Sequence, residues 1–361
     1  MLIVDGHEDI AWNMLSFDRD YSLPLAEIRE RERDTDIPER NGTAMLAWDA
    51  WVRGRVGVVF ATLFATPVRK QLRPWEKRRY KDAEQAHRLY AQNLDAYHRL
   101  LENHPDKFRM LLTHADLQDV VSRWEEKPVR PQLGMVILME GADGVRNPSE
   151  LPMWYERGVR IVGPAWMATR YAGGTREPGP YTSEGWDLLE AMADLGMTLD
   201  ISHLAEEAVL QSLERYPGTI IASHSNPRTL LPNSTFLDRH LTDEAIMGLA
   251  ERGGVMGIVI GNRFLKDGWR VSDGRAAVTL DDVVMHIDHV CQLVGSAEHV
   301  GIGSDLDGGY GLELVPQDLD SVADLRFIGP ALRRRGFSQE DAEAVLGGNW
   351  LRLLRKILPE S

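Results

Sequence analysis

The sequence predicts an α/β fold, a (β/α)8 TIM barrel, and two observations lead to this prediction. Short apolar, β-branched runs recur along the 361 residues and alternate with amphipathic stretches. Most of these runs are apolar throughout, which is typical of strands buried on both faces of a parallel sheet. In addition, ionisable residues stand at the ends of several runs, which is where barrel enzymes place their active sites.

Eight runs are interpreted as strands. In chain order they are residues 2–4, 56–63, 135–139, 159–162, 197–201, 219–222, 255–260 and 300–302. Eight strands that alternate with helices fit either a barrel or a doubly wound sheet. No glycine-rich phosphate-binding segment follows the first run, so nothing supports the nucleotide-binding version of the sheet.

The stretches between the runs have helical periodicity and recognisable ends. Residues 82–102 place a stripe of apolar and aromatic side chains on one face. Thr182 or Ser183 is a candidate N-cap for one later helix, and Thr242 and Thr279 are expected to begin two others.

The composition excludes several classes of function. The chain has 41 basic and 55 acidic side chains, and the resulting net charge of −14 argues against a nucleic-acid partner. The single cysteine, Cys291, excludes an internal disulfide and a cysteine-based metal site. No apolar run approaches the roughly 20 residues of a membrane span, and no signal-peptide pattern opens the sequence. We expect a cytoplasmic protein without a membrane partner, and residues 1–361 as one domain because no linker or repeat interrupts them.

His7 and Asp9 follow directly on the first predicted strand. Side chains at positions i and i+2 of a strand point to the same face, so the two can converge on one metal ion at the strand's C-terminal end. Glu8 is expected to point the other way. On its own, a His-x-Asp sequence occurs often by chance.

Other ionisable residues occupy the same topological position on later strands. Glu140 ends the third predicted strand, His203 the fifth, His224 the sixth and Asp305 the eighth. Taken singly, each has an ordinary structural interpretation, such as a core histidine or a helix N-cap. Together they predict a metal site, and imidazole with carboxylate favours zinc, with cobalt, manganese or iron as alternatives. Three histidines and two or more carboxylates exceed what one catalytic zinc ion needs, which favours two ions.

The segments around these residues resemble one family along nearly the whole chain. That family is the membrane dipeptidases, also called renal dipeptidase-like, which are zinc dipeptidases with a barrel of the metal-dependent hydrolase type. The matching segments run in family order from residue 5 to residue 354, and they are DGHEDIAWN, MEGADG, GVRIVGPAW, LGMTLDISH, ASHSNPR, GGVMGIVIGN, GIGSDLDGG and GGNWLRLL.

The resemblance implies a ligand set for two zinc ions. His7 and Asp9 would bind one ion, His203 and His224 the other, and Glu140 would bridge them. No carboxylated lysine is required, and the fourth predicted strand offers none.

The resemblance also implies an activity and two further roles. The activity is hydrolysis of dipeptides by a metal-bridging hydroxide, including dipeptides with a D-configured C-terminal residue. Asp305 would exchange a proton with the reacting water, and Arg239 would bind the substrate carboxylate. A homodimer is implied by the family alone.

Two positions depart from the family pattern. Trp166 stands where the family has a histidine that hydrogen-bonds the reacting carbonyl, and His240 stands after Arg239 where the family has asparagine. Both are candidates for substrate binding, and both leave substrate identity open. The alternative functions are an amidohydrolase acting on N-acyl amino acids or another small amide, and an inactive barrel that serves as a binding protein.

Several further polar residues receive lesser roles. Asp307 is expected to be structural, and either Asp200 or Ser202 is expected to orient a metal-binding imidazole. His286 and His289, three residues apart on a predicted helix, are expected to lie on the helix surface and not to bind metal.

Overall fold

Eight parallel strands form a closed barrel in the computed structural model, which describes residues 2–69, 75–126 and 131–360. Each strand pairs with the next along the chain, and the eighth pairs with the first. The eight predicted strands and the (β/α)8 fold class are therefore confirmed. The strands are β1 (Ile3–Glu8), β2 (Val56–Leu63), β3 (Leu133–Glu140), β4 (Val159–Gly163), β5 (Thr198–Asp200), β6 (Ile220–Ser225), β7 (Met256–Ile258) and β8 (Val300–Ile302).

Short strands that the sequence did not predict accompany the barrel. Phe108–Met110 pairs in parallel with the first residues of β3. Thr66–Pro67 pairs with Arg79–Tyr80 after β2, and Ala172–Gly174 forms an antiparallel hairpin with Glu177–Tyr181 after β4. The two small pairs follow the C-terminal ends of their barrel strands, so they add structure to the end of the barrel where the ionisable residues lie.

Helices fill the connections between the strands. Among the described residues, no helix is both long enough and apolar enough to cross a membrane. The α-helices are α1 (Ile10–Phe17), α2 (Leu25–Glu32), α3 (Ile37–Asn41), α4 (Trp48–Gly54), α5 (Ala83–Asn103), α6 (His114–Glu125), α7 (Leu151–Glu156), α8 (Ser183–Asp194), α9 (Glu206–Arg215), α10 (Asp243–Glu251), α11 (Asn262–Leu265), α12 (Leu280–Val294), α13 (Ile328–Arg335), α14 (Gln339–Glu343) and α15 (Asn349–Ile357).

The predicted helix starts have the expected side-chain caps. Asp82 accepts a hydrogen bond from the Gln85 amide at the start of α5. Of the two candidates before α8, Thr182 is the cap, because its hydroxyl accepts from the Gly185 amide. The hydroxyls of Thr242 and Thr279 cap α10 and α12 in the same way. Each cap satisfies an amide that the first helical turn leaves without a partner.

The two faces of the barrel strands belong to two apolar clusters. Side chains on the outer face pack against the surrounding helices, which explains why the strands read as apolar throughout. Alternate side chains point inward, and those in the first half of the strands form a second cluster with α6 and α15. We call this second cluster the lower interior; among its members are Val58, Phe60, Val136, Leu138 and Trp350.

Candidate metal centre

Five of the predicted site residues lie at the C-terminal ends of the barrel strands. His7 is near the end of β1, Glu140 is the last residue of β3, and His224 is near the end of β6. His203 follows β5, and Asp305 follows β8. The fold therefore brings together five side chains that are up to 298 positions apart in the sequence, as the strand-end pattern predicted.

Local irregularities of the backbone direct several of these side chains inward. The pairing register shifts in β1 between Asp5 and Glu8 and in β6 between Ala222 and Ser225, so both shifts enclose a histidine of the centre. Such bulges re-aim the side chains they contain. His203 and Asp305 adopt left-handed backbone conformations, with φ of 68° and 58°. A non-glycine residue in such a conformation costs roughly 1–3 kcal/mol of folding free energy. Residues of this kind cluster at functional sites in proteins.

One carboxylate oxygen is surrounded by three imidazole nitrogens. Glu140 Oε1 lies 3.2 Å from His203 Nε2, 3.4 Å from His224 Nε2 and 3.7 Å from His7 Nε2. The His203 and His224 Nε2 atoms are 3.1 Å apart, and the His7 and His224 rings stack with centroids 3.5 Å apart. Glu140 therefore occupies the position between the histidines that the resemblance assigns to a bridging carboxylate.

Asp9 reaches the same cluster from a position that the sequence analysis did not foresee. Asp9 stands at the N-cap of α1 and not on β1. The sequence analysis therefore placed Asp9 correctly beside His7, but its reason, the alternation of side chains along a strand, does not apply. Asp9 Oδ1 lies 4.0 Å from His7 Nε2 and accepts a hydrogen bond from the Thr62 hydroxyl. Glu8 points away, as expected, and accepts a hydrogen bond from the Trp51 indole.

Hydroxyl groups orient two of the imidazoles. The Ser223 hydroxyl donates to Asp200 Oδ2 at 2.5 Å, and its oxygen lies 2.8 Å from His224 Nδ1. Because that hydroxyl proton is committed to the carboxylate, Nδ1 must be the protonated nitrogen of His224. Thr175 Oγ1 lies 3.0 Å from His203 Nδ1 and donates to the His203 carbonyl at 3.4 Å, which favours the same tautomer there. Both rings then present an unprotonated Nε2 to Glu140, the form in which imidazole binds metal ions.

Burial sets the charge state of the cluster in the absence of a metal ion. It lowers the pKa of His7, His203 and His224 well below the ordinary value, and the buried Arg239 guanidinium contributes to each decrease. Burial and the neighbouring Asp9 carboxylate raise the pKa of Glu140 well above its usual range. The imidazoles are therefore neutral, which is the protonation state that a metal ion requires.

The residues present fit a metal ion. His7 Nε2 is buried and has no hydrogen-bond partner among the described residues, although such atoms are nearly always paired in proteins. His7, Glu140 and His224 form one group whose ligand atoms are close enough to hold an ion, and His7, Asp9 and Asp305 form another. A cation would satisfy the unpaired nitrogen and offset the repulsion between the facing lone pairs of His203 and His224.

A cavity of about 240 Å³ opens above this cluster. Its wall includes Glu140, His203, Asp305 and two of the predicted substrate-binding residues, Arg239 and Trp166. The Arg239 guanidinium is buried and donates to the His224 carbonyl at 2.7 Å and to the Ser225 hydroxyl at 3.2 Å. The Trp166 indole lies 6.0 Å from the His203 ring, centroid to centroid.

The third predicted substrate-binding residue lies elsewhere. His240 is absent from the lining of this cavity, and its Nε2 lies 3.2 Å from the Ser234 hydroxyl. Burial lowers the pKa of His240 to about 3, and no described residue offers a hydrogen-bond partner to Nδ1. Contact between His240 and a substrate stays a prediction; its ring lies 6.0 Å from that of Phe264, which does line the cavity.

Comparison with known proteins assigns the family. A family model described as membrane dipeptidase, peptidase family M19, matches residues 1–359. The chain belongs to this family. Its members are metal-dependent dipeptidases, which agrees with the histidine–carboxylate cluster at the strand ends.

Relatives of this M19 family member include bacterial and fungal proteins. An uncharacterized protein of the pqqA 5′ region of Klebsiella pneumoniae is 33% identical over 277 residues, covering 74% of this chain and 95% of that protein. The dipeptidase tcpJ of Claviceps purpurea is 26% identical and covers 85% of this chain and 68% of its own. Among solved structures, a metallopeptidase from Rhodobacter sphaeroides liganded with a phosphinate mimic of L-Ala-D-Ala superposes with a TM-score of 0.78. That structure is 22% identical and covers 99% of both chains.

Three residues that contact the predicted metal ligands of this family member escaped the sequence analysis. Thr62 bonds Asp9, Thr175 contacts His203, and Ser223 contacts His224. Ser223 precedes its histidine directly, and Thr62 nearly ends β2, so their positions at strand ends were a usable signal. Thr175 lies in the hairpin after β4, where no pattern in the sequence pointed to it.

The lesser roles expected from the sequence have mixed outcomes. Asp307 is structural, because its carboxylate accepts hydrogen bonds from the Tyr21 hydroxyl and the Met45 amide. Asp200 orients a ligand through Ser223, as predicted for it or Ser202. The prediction that His286 lies on the helix surface was wrong, because this ring is fully buried and its Nε2 lies within hydrogen-bond distance of the Leu265 carbonyl. His289 is partly buried and pairs with an aspartate of α10.

Proposed function

We propose that this chain hydrolyses the peptide bond of dipeptides with two zinc ions. His7 and Asp9 would hold one ion, His203 and His224 the other, and Glu140 would lie between them. The observation that supports this most directly is the position of Glu140 Oε1, within 3.7 Å of three imidazole Nε2 atoms, one of which has no other partner. Membership of the dipeptidase family supports the reaction class.

Zinc ions at this centre would supply a strong nucleophile near neutral pH, because they lower the pKa of water from 15.7 to roughly 7, and would polarise the substrate carbonyl. The chain's own contribution is to keep the ligands in place and in the right protonation state. Thr62, Thr175 and Ser223 hold Asp9, His203 and His224 in orientation through their hydroxyls. Such outer contacts matter because loss of one typically reduces metal affinity or activity by about 10–100-fold.

Asp305 is proposed to move the proton. Its carboxylate lines the cavity beside His7 and Asp9, at the same end of the barrel as the other site residues. We propose that it accepts a proton from the attacking water and delivers that proton to the departing amine, so the same oxygen acts as base and then as acid. The amide of Asp305 donates to the His7 carbonyl, which ties this carboxylate to β1.

Arg239 is proposed to bind the substrate carboxylate. The guanidinium lines the cavity, and its two hydrogen bonds to His224 and Ser225 fix its position. A guanidinium has five N–H donors, so donors remain for a bidentate contact with a carboxylate. The cavity of about 240 Å³ lies below the roughly 300–1,000 Å³ of typical small-molecule sites, which favours a substrate as small as a dipeptide.

Trp166 is proposed to donate the hydrogen bond that the family's histidine makes to the reacting carbonyl. It lines the cavity and His240 does not, so Trp166 is the better placed of the two candidates. An indole N–H donates one neutral hydrogen bond and carries no charge. Replacing Trp166 by phenylalanine keeps the aromatic packing and is expected to lower kcat up to about tenfold, the range of one neutral hydrogen bond. An unchanged kcat would exclude this role.

The test is a substrate panel on zinc-loaded enzyme of measured metal content. It compares L-Ala-L-Ala, L-Ala-D-Ala and N-acetyl-L-alanine; the D-configured substrate is included because a solved relative is bound to a mimic of it. Turnover of dipeptides with two metal ions per chain is the expected result. Activity on the N-acyl substrate alone would replace this proposal by the amidohydrolase alternative. Bound metal with no turnover of any amide would favour a binding protein.

A second experiment separates the proton transfer from metal binding. Asp305→Asn removes the basic carboxylate and keeps its size. We expect kcat to fall by about 10²–10⁴-fold, the usual contribution of a general acid–base group. Metal content measured on the same sample serves as the internal control. Near-normal turnover with both metal ions bound would exclude Asp305 as the proton carrier.

A further inference from the structure

Three arginines line the cavity, and they differ in depth. Arg239 is buried near the ligand cluster, whereas Arg176 and Arg263 are exposed at the rim. The carboxylates of the same cavity, Asp9, Glu140 and Asp305, lie at its floor and are assigned to the metal centre and the proton transfer. The rim of the cavity is therefore cationic among the described lining residues, although the whole chain has a net charge of −14.

Aromatic rings hold the rim arginines in place. The Arg176 guanidinium carbon lies 4.4 Å from the Phe236 ring centroid, and that of Arg263 lies 5.7 Å from the same ring. Arg263 also lies 4.8 Å from the Phe264 ring centroid. A guanidinium that stacks on a ring uses its flat face, and its N–H groups lie along its edge, where they match the geometry of a carboxylate. Phe236 and Phe264 line the cavity themselves.

Arg239 and Arg263 share one aromatic neighbour. Their guanidinium carbons lie 5.9 Å and 4.8 Å from the Phe264 ring centroid. Both guanidiniums therefore border the part of the cavity that Phe264 lines. A dipeptide with a neutral C-terminal residue brings one carboxylate to this side of the cavity. A dipeptide that ends in aspartate or glutamate brings two.

We propose that this cavity selects dipeptides whose C-terminal residue carries a side-chain carboxylate. Arg239 binds the α-carboxylate, and Arg263, supported by Arg176, binds the side-chain carboxylate. The inference rests on the proposed dipeptidase function and specifies its substrate class. The acidic residue is the C-terminal one because Arg263 and Arg239 flank the same ring, Phe264.

The experiment compares isosteric substrate pairs, so that only charge differs within a pair. Ala-Asp is measured against Ala-Asn, and Ala-Glu against Ala-Gln, with both configurations of the second residue. The zinc-loaded full chain is expected to prefer the acidic member by about tenfold in kcat/KM, the range of one hydrogen-bonded contact to a charged group. The difference is expected in KM more than in kcat, because the contact is made away from the scissile bond.

Variants then assign the preference to the rim. Arg263→Gln is expected to abolish the preference, so that kcat/KM for Ala-Asp falls to the value that the same variant has for Ala-Asn. Arg263→Glu is expected to reverse it in favour of Ala-Lys. Arg176→Gln, on a different loop, is expected to reduce it in part. Arg215→Gln is the matched control, because Arg215 also stacks on a ring, 4.9 Å from the Trp186 centroid, but does not line the cavity.

The outcomes separate this inference from the proposed function. Equal kcat/KM within the isosteric pairs, with good dipeptide turnover, would overturn the acidic preference and leave the dipeptidase proposal standing. A preference that persists in both Arg263 variants would overturn the assignment to the rim. No turnover of any dipeptide would overturn the proposed function and this inference with it.

Discussion

The lower and upper parts of the barrel interior use the same strands but treat their polar atoms differently. In the lower interior, Trp350 donates to the Ile302 carbonyl at 2.9 Å, and Asn349 donates to the Ala297 and Val300 carbonyls at 2.6 and 2.8 Å. In the upper interior, His7 Nε2 is buried with no hydrogen-bond partner in the part of the chain that the structure describes, and the Nε2 atoms of His203 and His224 face each other. These side chains of the lower part are paired, whereas the histidine nitrogens of the upper part, as far as the described residues show, leave coordination capacity unused.

The change occurs within a few residues on single strands. On β3, Val136 and Leu138 belong to the apolar lower interior, and the next inward-facing residue is Glu140. On β2, Phe60 is followed by Thr62, which bonds Asp9. Height along the strand, and not the strand itself, thus decides whether a position serves packing or the metal centre. This division is general in such barrels, where the lower face contributes stability and the upper face catalysis.

The largest effect is expected at Glu140. Glu140→Ala removes the oxygen that lies between the three histidines, so we expect metal content to fall and dipeptide turnover to drop by on the order of a thousandfold or more, equivalent to several kcal/mol of transition-state stabilisation. Atomic absorption and turnover on the same sample measure both. Full metal content and activity in this variant would refute the assignment of Glu140 to the centre.

The matched variant two residues earlier is expected to show the opposite pattern. Leu138→Ala leaves a cavity in the lower interior, where the side chain is fully buried, and should lower the free energy of unfolding by about 2–5 kcal/mol. Metal content and kcat at 25 °C should stay close to those of the parent chain. Urea denaturation measures the free energy of unfolding. If Leu138→Ala lost metal without losing stability, the lower interior would not be separate in function from the metal centre.

The sequence predicted which strands carry the site residues, but it did not predict the backbone conformations that orient those residues. Apolar runs and the residues that end them were enough to predict eight strands and to place His7, Glu140, His203, His224 and Asp305 at one rim. Whole-strand periodicity is a strong local signal, because burial on both faces leaves few polar residues within a run.

The orientation of the site residues could not be predicted in the same way. His203 and Asp305 adopt left-handed backbone conformations, which are uncommon outside glycine, so the sequence pattern did not indicate them. Asp9 acts from a helix cap, and Thr175 acts from a hairpin that lies on no barrel strand. These positions depend on contacts between distant segments, which a single sequence does not reveal. His286 was misassigned for the same reason: its helix face packs inward against α11.

A buried histidine with partners sharpens the comparison further. His286 Nε2 lies 3.0 Å from the Leu265 carbonyl, and burial lowers its pKa to about 4 from the ordinary 6.5. The unfolded chain therefore binds more protons between these values. The contribution of the neutral His286 ring to the free energy of unfolding is complete above about pH 6.5 and is lost as the pH falls toward 4.

His286→Gln is expected to remove this dependence. Between pH 8 and pH 5 the fall in the free energy of unfolding should be smaller in the variant by about 2 kcal/mol. This value follows because pH 5 lies about 1.5 units below the unfolded pKa, and each unit corresponds to about 1.36 kcal/mol. Urea titrations at both pH values, with a chelator in all samples, compare the two proteins with the same metal-free centre. Equal pH dependence in both would show that His286 does not titrate as proposed, and changed zinc affinity would contradict its separation from the centre.

The smallest effect is expected from the hydroxyls that orient the ligands. Ser223→Ala removes the oxygen between Asp200 and His224 Nδ1, so the tautomer with an unprotonated Nε2 loses its support. We expect zinc affinity to fall by about tenfold, the lower end of the range for outer contacts, and Thr175→Val to act similarly through His203. Ser212→Ala is the control, because that buried hydroxyl donates to Ala208 on α9, away from the site. Competition with a zinc-binding dye measures all three affinities. If Ser223→Ala and Ser212→Ala bind zinc equally well, packing and not the Ser223 hydroxyl holds the ring of His224. The arrangement of the histidine nitrogens in the upper interior would then depend on the backbone and not on the neighbouring hydroxyl groups.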